Sequence, residues 1–123
     1  MSDLPPVIDP LEKQQYLQGD WYPALLGQVN DTAIKLARIH GEFVWHSHAE
    51  EDELFLVVKG RMRLEFRNGV RELEAGQMII VPRGLEHRPV SEEECLILLV
   101  EPVSTVNTGD AESDMRREQL PEL

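Results

Sequence analysis

Residues 42–60 read EFVWHSHAEEDELFLVVKG, a polar segment set between two apolar ones. His46 and His48 are two residues apart, so on an extended strand their side chains share a face, with Cα atoms about 7 Å apart. Glu53 opens the apolar run ELFLVV, where alternation places it on the same face as Phe55. Because Phe55 is a candidate for the interior, Glu53 is predicted to point inward as well. A buried carboxylate needs a cation or strong hydrogen-bond donors to offset its desolvation.

This arrangement is compatible with three kinds of site: a metal centre, an acid–base centre, or an ordinary exposed loop. With four histidines in 123 residues, an H-x-H pair arises by chance about one time in ten, so the pair alone is weak evidence. Glu53 favours a metal, because a cation would compensate its buried charge. Glu50, Glu51 and Asp52 are expected in a solvated turn. Glu51 is the alternative ligand, since it has the same parity as Glu53.

The composition predicts one globular domain with an acidic surface. The chain has 123 residues, 41% of them hydrophobic, with 12 Lys and Arg against 23 Asp and Glu and a net charge of −11. Such a surface repels phosphate backbones and anionic bilayers, so neither nucleic acid nor a membrane is an expected partner.

The N-terminal segment lacks the basic and apolar regions of a signal peptide. The single cysteine, Cys95, lies in the apolar run CLILLV and is expected to be a buried free thiol, which suits a cytoplasmic protein.

One short helix is predicted near the N-terminus. Asp9 is a candidate N-cap, Pro10 suits the first helical position, and a glutamate two residues later completes a capping box. The helix is expected to run from about residue 10 to residue 18 and to end at Gly19. The segment 19–31 is then expected to be a loop.

From Ala33 onward the hydrophobic periodicity is two, which is typical of strands. Asn68-Gly69 lies between two such stretches and fits a hairpin turn. After the first strand, further strands are expected at 54–58, 61–66, 70–74, 77–81, 88–90 and 95–101. Many short strands punctuated by glycines indicate an all-β sandwich or barrel. The predicted division is an N-terminal helix and arm (1–32), a barrel (33–102) and a polar C-terminal tail (103–123).

In two motifs the sequence resembles the cupins, and most closely the small single-domain cupins of the cupin-2 type. Their first motif runs from a glycine through H-x-H to a glutamate and a second glycine. Their second motif joins a glycine, a proline, another glycine and a histidine. The matching positions are Gly41, His46, His48, Glu53 and Gly60 for the first motif, and Gly76, Pro82, Gly84 and His87 for the second. The first spacing, from Gly41 to His46, is one residue shorter than the common form, and Ser91 stands where an asparagine is frequent.

The resemblance implies a double-stranded β-helix, the jelly-roll or cupin barrel, with one divalent metal ion inside it. Carried over to this chain, it implies that the ligands are His46, His48, Glu53 and His87. Three imidazoles and one carboxylate suit iron, manganese, nickel, cobalt or zinc. On a six-coordinate ion, two positions would then stay open for water, substrate or dioxygen. His40 is interpreted as a structural or surface residue.

Alternation also predicts the wall of the cavity around such a metal. The inward candidates are apolar: Val44, Phe55, Val57, Met62, Leu64 and Phe66. Arg61 and Arg63 fall on the opposite, solvated face, which leaves Lys35 and Arg38 as possible basic residues at the rim. A phosphosugar isomerase is disfavoured, because its anionic substrate needs fixed cations.

Three functions are compatible with this site. The leading one is a metal-dependent enzyme, dioxygenase-like, acting on a small organic substrate in the barrel. The alternative is a non-catalytic metallo-cupin that binds or senses a small ligand, and a third reading is a purely structural metal. The same ligands serve all three, so the sequence leaves open whether the protein is an enzyme.

A homodimer is also predicted. The runs ELFLVV and CLILLV carry apolar residues on both faces, whereas a single barrel needs only its inward face apolar. Self-association through matching surfaces would give a two-fold dimer, and the resemblance to dimeric small cupins implies the same. The competing possibility is that the C-terminal tail covers the outer row and leaves a monomer.

Overall fold

The structure is a computed structural model that describes residues 3–123. A single helical turn, α1 (Pro10–Lys13), continues into a 3-10 turn, and seven strands follow. The strands are β1 (Ala24–Val29), β2 (Thr32–Glu42), β3 (Glu53–Lys59), β4 (Arg61–Phe66), β5 (Gly69–Glu74), β6 (Met78–Val81) and β7 (His87–Pro102).

All strand pairings are antiparallel, and the long strand β7 connects them. The order along the main path is β1-β2-β7-β3-β6, while β4 pairs with both β5 and β7. The first residues of β7 pair with β4, and the remainder is flanked by β2 and β3. The result is the predicted all-β jelly-roll barrel with a short N-terminal helix.

The interior follows the predicted alternation. Along β3, Glu53, Phe55 and Val57 are buried, and the residues between them are only half-buried. The main core also contains Cys95, whose thiol pKa burial raises to about 11. A thiol that stays protonated at neutral pH is a weak nucleophile, which agrees with the predicted inert, buried cysteine.

The N-terminal helix is shorter than predicted. The Asp9 carboxylate accepts a hydrogen bond from the Leu11 N–H, as expected of an N-cap. The helical conformation nevertheless ends at Leu17, whose φ of −67° and ψ of 138° are extended. No residue of α1 or of the 3-10 turn is buried, so no packing is present to extend so short a helix.

The prediction of a loop over 19–31 is wrong for its second half, which forms β1. This edge strand pairs with β2 through a tight turn, and the register shifts between Leu25 and Gly27. Because of that irregularity and the glycine inside the strand, β1 lacks the alternating pattern by which strands are predicted.

The two strands predicted at 88–90 and 95–101 form one continuous strand, β7. The hairpin is confirmed, but its two-residue turn is Arg67-Asn68, one residue earlier than the predicted Asn68-Gly69, because Gly69 pairs with Phe66.

The C-terminal tail also contacts the sheet. The Leu25 N–H donates to the Pro121 carbonyl, and the Leu123 N–H donates to the Leu25 carbonyl. The division into segments 1–32, 33–102 and 103–123 stays a prediction. Across residues 3–123, no helix has the length and apolar character needed to cross a membrane.

Candidate metal centre

Backbone pairing brings His46 and His87 together. The two residues form an isolated antiparallel bridge in which each N–H donates to the other's carbonyl, at 3.0 and 2.9 Å. Their side chains therefore leave the same face, and the ring centroids lie 4.3 Å apart. His87 is also the first residue of β7, so the sheet fixes the position of its ring.

His48 and Glu53 complete the cluster. The His48 ring centroid lies 5.0 Å from that of His46. Glu53 is the first residue of β3, and its Oε1 lies 3.1 Å from His87 Nε2 and 3.5 Å from His48 Nε2. One ligand atom from each of the four side chains lies within 4.8 Å of the others, and all four residues are buried. The structure thus brings together all four predicted ligands.

The hydrogen bonds behind the imidazoles determine which nitrogens face the centre of the cluster. His46 Nδ1 lies 2.9 Å from the Val44 carbonyl, and His87 Nδ1 lies 2.8 Å from the Leu85 carbonyl. A carbonyl only accepts, so both Nδ1 atoms are donors and a neutral ring presents an unprotonated Nε2. The contact between His87 Nε2 and Glu53 Oε1 then joins two acceptors. Such a contact is stable only with a proton or a metal ion between them.

The electrostatics favour a neutral His46 imidazole and an ionised Glu53 carboxylate. Burial, followed by repulsion from His87, lowers the pKa of His46 to about 4. Burial alone would raise the pKa of Glu53, but hydrogen bonds and positive charge from the His48 and His87 rings, when these carry a proton, outweigh it and hold that pKa below its usual range; a metal ion between the groups would act in the same direction. Deprotonated imidazole and carboxylate are the forms that bind a divalent metal.

His48 gives an independent test of the fit. Both of its ring nitrogens are buried and have no hydrogen-bond partner among residues 3–123. Leaving a buried polar atom unpaired costs about 1–3 kcal/mol, and coordination of Nε2 would satisfy one of the two. The residues present therefore fit a divalent metal ion, and the cluster is able to hold one.

The other candidates named from the sequence lie outside this cluster. His40 is exposed, and its carbonyl accepts a hydrogen bond from Trp21 Nε1. The alternative ligand, Glu51, accepts instead from Ser104 Oγ at 2.7 Å. Asp52 pairs with the exposed Arg83. Arg61 and Arg63 form ion pairs with glutamates outside the barrel, as expected.

A small apolar cavity of about 40 Å³ adjoins the cluster. Trp21 and Phe43 form one wall, stacked with ring centroids 4.8 Å apart. His46 and Glu53 also line the cavity. The remaining lining residues are Pro23, Ala37, Ile39, Phe55, Pro89, Ile97, Leu99 and Asn107. Of the predicted wall, only Phe55 lines the cavity; Val57, Met62 and Leu64 lie within the core, and Val44 and Phe66 pack against it.

The contact between the C-terminal tail and the segment that carries His46 and His48 was not predicted from the sequence. Asp110 accepts hydrogen bonds from the backbone N–H and hydroxyl of Ser47, and its own N–H donates to the Ser47 carbonyl. Gly109 has φ 54°, and a Cβ there would lie 2.2 Å from the Ser47 carbonyl oxygen and 3.1 Å from His48 Nδ1. A side chain would not fit, so glycine allows the tail to close against the H-x-H segment. We call this contact the Ser47–Asp110 clasp.

Two buried charged residues near the site were also not assigned to it from the sequence. Lys35, expected only as a possible rim residue, is buried with Glu101. Parity could have placed both side chains inward, since Glu101 continues the buried row of Cys95, Ile97 and Leu99 and Lys35 shares a row with Ala37 and Ile39. Their position beside Glu53 follows only from the strand register.

Residues 36–101 match the family described as Cupin domain. The chain belongs to the cupins. It is 35% identical over 77 residues to the uncharacterised protein YdbB of Bacillus subtilis, a match covering 62% of this chain and 68% of that protein.

Solved cupin structures share the architecture. A cupin-2 domain-containing protein from Shewanella frigidimarina is 41% identical, with a TM-score of 0.76 over 78% of this chain and 94% of the other. The hydroquinone 1,2-dioxygenase PnpCD, solved with Cd²⁺ and 4-hydroxybenzonitrile, is 19% identical, with a TM-score of 0.67 over 76% of this chain and 71% of the other. At that identity the second likeness shows the fold alone.

Proposed function

We propose that this cupin is a metal-dependent enzyme with dioxygenase-like chemistry on a small, uncharged organic substrate. The observation that carries the proposal is the buried group of three histidines and one glutamate beside an apolar cavity. His46, His48, Glu53 and His87 would hold the ion, and the Nδ1 hydrogen bonds of His46 and His87 would keep those two rings oriented. A bound metal with open positions supplies Lewis-acid or oxygen-binding chemistry.

The cavity lining supports an uncharged substrate with a flat apolar part. Among the lining residues there is no lysine or arginine, so no fixed cation is available for a phosphate or carboxylate. The stacked Trp21 and Phe43 provide an aromatic wall suited to a planar group. Apolar walls also keep bulk water from the reacting atoms.

Substrate entry requires part of the cavity wall to move. The cavity of about 40 Å³ holds only a few water molecules, whereas sites for organic ligands span roughly 300–1,000 Å³. Asn107 belongs to the tail and lines the cavity, and the exposed Ser47–Asp110 clasp holds the tail close by. Displacement of the tail around these residues is the proposed route of entry.

The same closure favours a second candidate, a non-catalytic metallo-cupin that binds or senses a small ligand. A ligand that displaced the tail would change the exposed surface around the clasp, which a partner is able to detect. PnpCD acts on hydroquinone and has the same fold, but this likeness does not distinguish turnover from binding.

Elemental analysis of protein purified without a metal-affinity tag, joined to oxygen-consumption assays, tests both candidates. Catechols, hydroquinones and flavonols are the substrates to screen, with His48→Ala as the matched control. Bound iron with turnover that the control lacks would support the dioxygenase. A bound metal with ligand binding but no oxygen uptake would support the sensor. Absence of any stoichiometric divalent metal would contradict both.

A further inference from the structure

A buried ion pair lies beside the candidate metal centre. Lys35 on β2 and Glu101 on β7 are 4% and 2% exposed, and Lys35 Nζ lies 3.3 Å from Glu101 Oε1. Lys35 Nζ also donates to the Thr105 carbonyl at 3.2 Å. Removing two charges from water is costly, so a buried pair of this kind contributes little net stability. Fold stability alone therefore does not explain why charged residues occupy this part of the core.

The strand register places Glu101 next to Glu53. Leu54 on β3 is paired with Val100 on β7, so the next position along brings Glu53 and Glu101 side by side. Both residues are buried on the inner face. Burial, followed by repulsion from Glu53, raises the pKa of the Glu101 carboxyl well above its ordinary range, and attraction to Lys35 opposes that shift.

Glu101 is not a fifth member of the ligand group. The four ligand atoms that lie within 4.8 Å of one another come from the three histidines and Glu53. One Glu101 oxygen, Oε1, faces Lys35, while Oε2 is buried and finds no hydrogen-bond partner in the part of the chain that the structure describes. Glu101 thus has one oxygen on a fixed cation, while the strand register sets its side chain beside that of Glu53.

We propose that Glu101 is a positioning residue for the metal centre: its carboxyl contacts that of Glu53 and fixes the orientation of Glu53 toward the three imidazoles, while Lys35 holds Glu101 in place. Groups behind a metal ligand commonly set its orientation, and their loss weakens metal binding. This inference rests on the part of the proposed function that assigns a metal to the site. It is independent of whether the protein turns over a substrate.

The test measures metal binding by full-length protein first stripped of metal. Co²⁺ affinity and the Co²⁺ absorption spectrum are recorded for wild type, Glu101→Gln, Glu101→Asp and the double variant Lys35→Met with Glu101→Leu. Val90→Ala, a buried change on β7 outside the ligand group, controls for general loosening of the strand. The double variant removes both charges together, so it leaves no unpaired buried ion and should melt no lower than wild type.

We expect the double variant to bind Co²⁺ about 10- to 100-fold more weakly and with a changed spectrum. Glu101→Gln should remain near wild type, because its carbonyl still accepts from Lys35 and its amide still reaches Glu53. Glu101→Asp keeps the charge but shortens the side chain, so it should bind Co²⁺ more weakly than Glu101→Gln. If the double variant does not fold, the comparison of these two single variants tests the positioning role. Wild-type affinity and spectrum in the double variant, or weaker binding by Gln than by Asp, would overturn the inference. Failure of the wild type to bind Co²⁺ would instead contradict the proposed metal site.

Discussion

The two faces of strand β3 have similar hydrophobicity but very different surroundings. Its inward residues, Glu53, Phe55 and Val57, are buried within the chain. Its outward residues, Leu54, Leu56 and Val58, are only half-buried. The charged residue is on the fully buried face, and the apolar row without it is the one left partly open. Burial on this strand is therefore set by what covers each face, and a carboxylate is kept inside because cationic or metal-binding partners surround it.

The outward face itself is divided into a covered and an open part. Around Leu36 and Leu96 it is covered by Leu17 from the N-terminal segment and Leu123 from the tail. Along β6 it is open, where Met78 and Ile80 are 60% and 62% exposed. The inner face thus serves the site and the core, whereas the open outer part is available for contact with another molecule.

Removing a histidine should have the largest effect on the inner face. His48→Ala deletes one of the four clustered ligands, and we expect it to abolish stoichiometric metal binding. The barrel should remain folded, because the core is large enough to be stable alone. Elemental analysis and thermal unfolding followed by circular dichroism measure the two effects separately. A variant that is unfolded at room temperature would show that the metal is structural, which would weaken the enzyme hypothesis.

Acid should destabilise the inner face of the metal-free protein through His46. Its pKa is about 4 in the fold against an ordinary 6.5, so between these values the unfolded chain binds the additional proton. The contribution is fully present above pH 6.5 and is lost as pH falls from 6.5 through 4, by roughly 3 kcal/mol. Urea unfolding of EDTA-treated wild type and His46→Gln across this range gives the difference. The raised pKa of Glu101 has the opposite effect, because it stabilises the folded state as pH falls. Both proteins contain Glu101, so this effect cancels in the comparison. Parallel stability curves for the two proteins would contradict the assignment.

Adjacent valines on β3 allow a matched comparison of its two faces. Val57 is 1% exposed in the core, while Val58 is half-buried on the outward side. Val57→Ala should cost about 2–3 kcal/mol of unfolding free energy, because it leaves a cavity in a packed interior. Val58→Ala should cost less than about 1 kcal/mol, because its surroundings are only partly filled. Denaturant unfolding measures the unfolding free energy of both variants. Equal losses of unfolding free energy would mean that both faces are equally packed.

The candidate site was predictable because its residues have strong local patterns. The H-x-H spacing and the parity of Glu53 fix side-chain direction on extended backbone, and the cupin resemblance supplied His87. The Lys35–Glu101 pair was harder to assign, since charged residues in strands are usually solvated and only the register with Glu53 reveals their proximity. That register depends on contacts between distant parts of the chain.

The fold was predictable where alternation is regular and was not where it is interrupted. The glycine in β1 breaks the pattern, and the run Glu92–Glu94 within β7 resembles a loop although its backbone continues the strand. The polar tail has no periodicity at all. Its position depends on single contacts such as the Ser47–Asp110 clasp, which no local rule predicts.

The smallest expected effect on fold stability comes from the open part of the outward face, where we predict a homodimer. Leu54 and Leu56 on β3 pair with Ile80 and Met78 on β6, so two half-buried leucines and two exposed side chains form one apolar patch at the sheet edge. Neither Leu17 nor Leu123 belongs to that patch, since both pack on the part around Leu36 and Leu96. A second copy of the chain would cover the patch with an identical one, as a two-fold dimer requires.

Ile80→Lys tests this prediction, because the lysine places a charge in the centre of the patch. The variant should sediment as a monomer, and its monomer should keep its unfolding free energy within about 0.5 kcal/mol, as is usual for exposed positions. The control is Val70→Lys on β5, where the valine is 52% exposed and outside the patch; this variant should remain dimeric like the wild type. Analytical ultracentrifugation at micromolar concentration distinguishes the states. A single wild-type species at the monomer mass would refute the dimer, and within residues 3–123 the outer face would then be covered by the N-terminal segment and the tail.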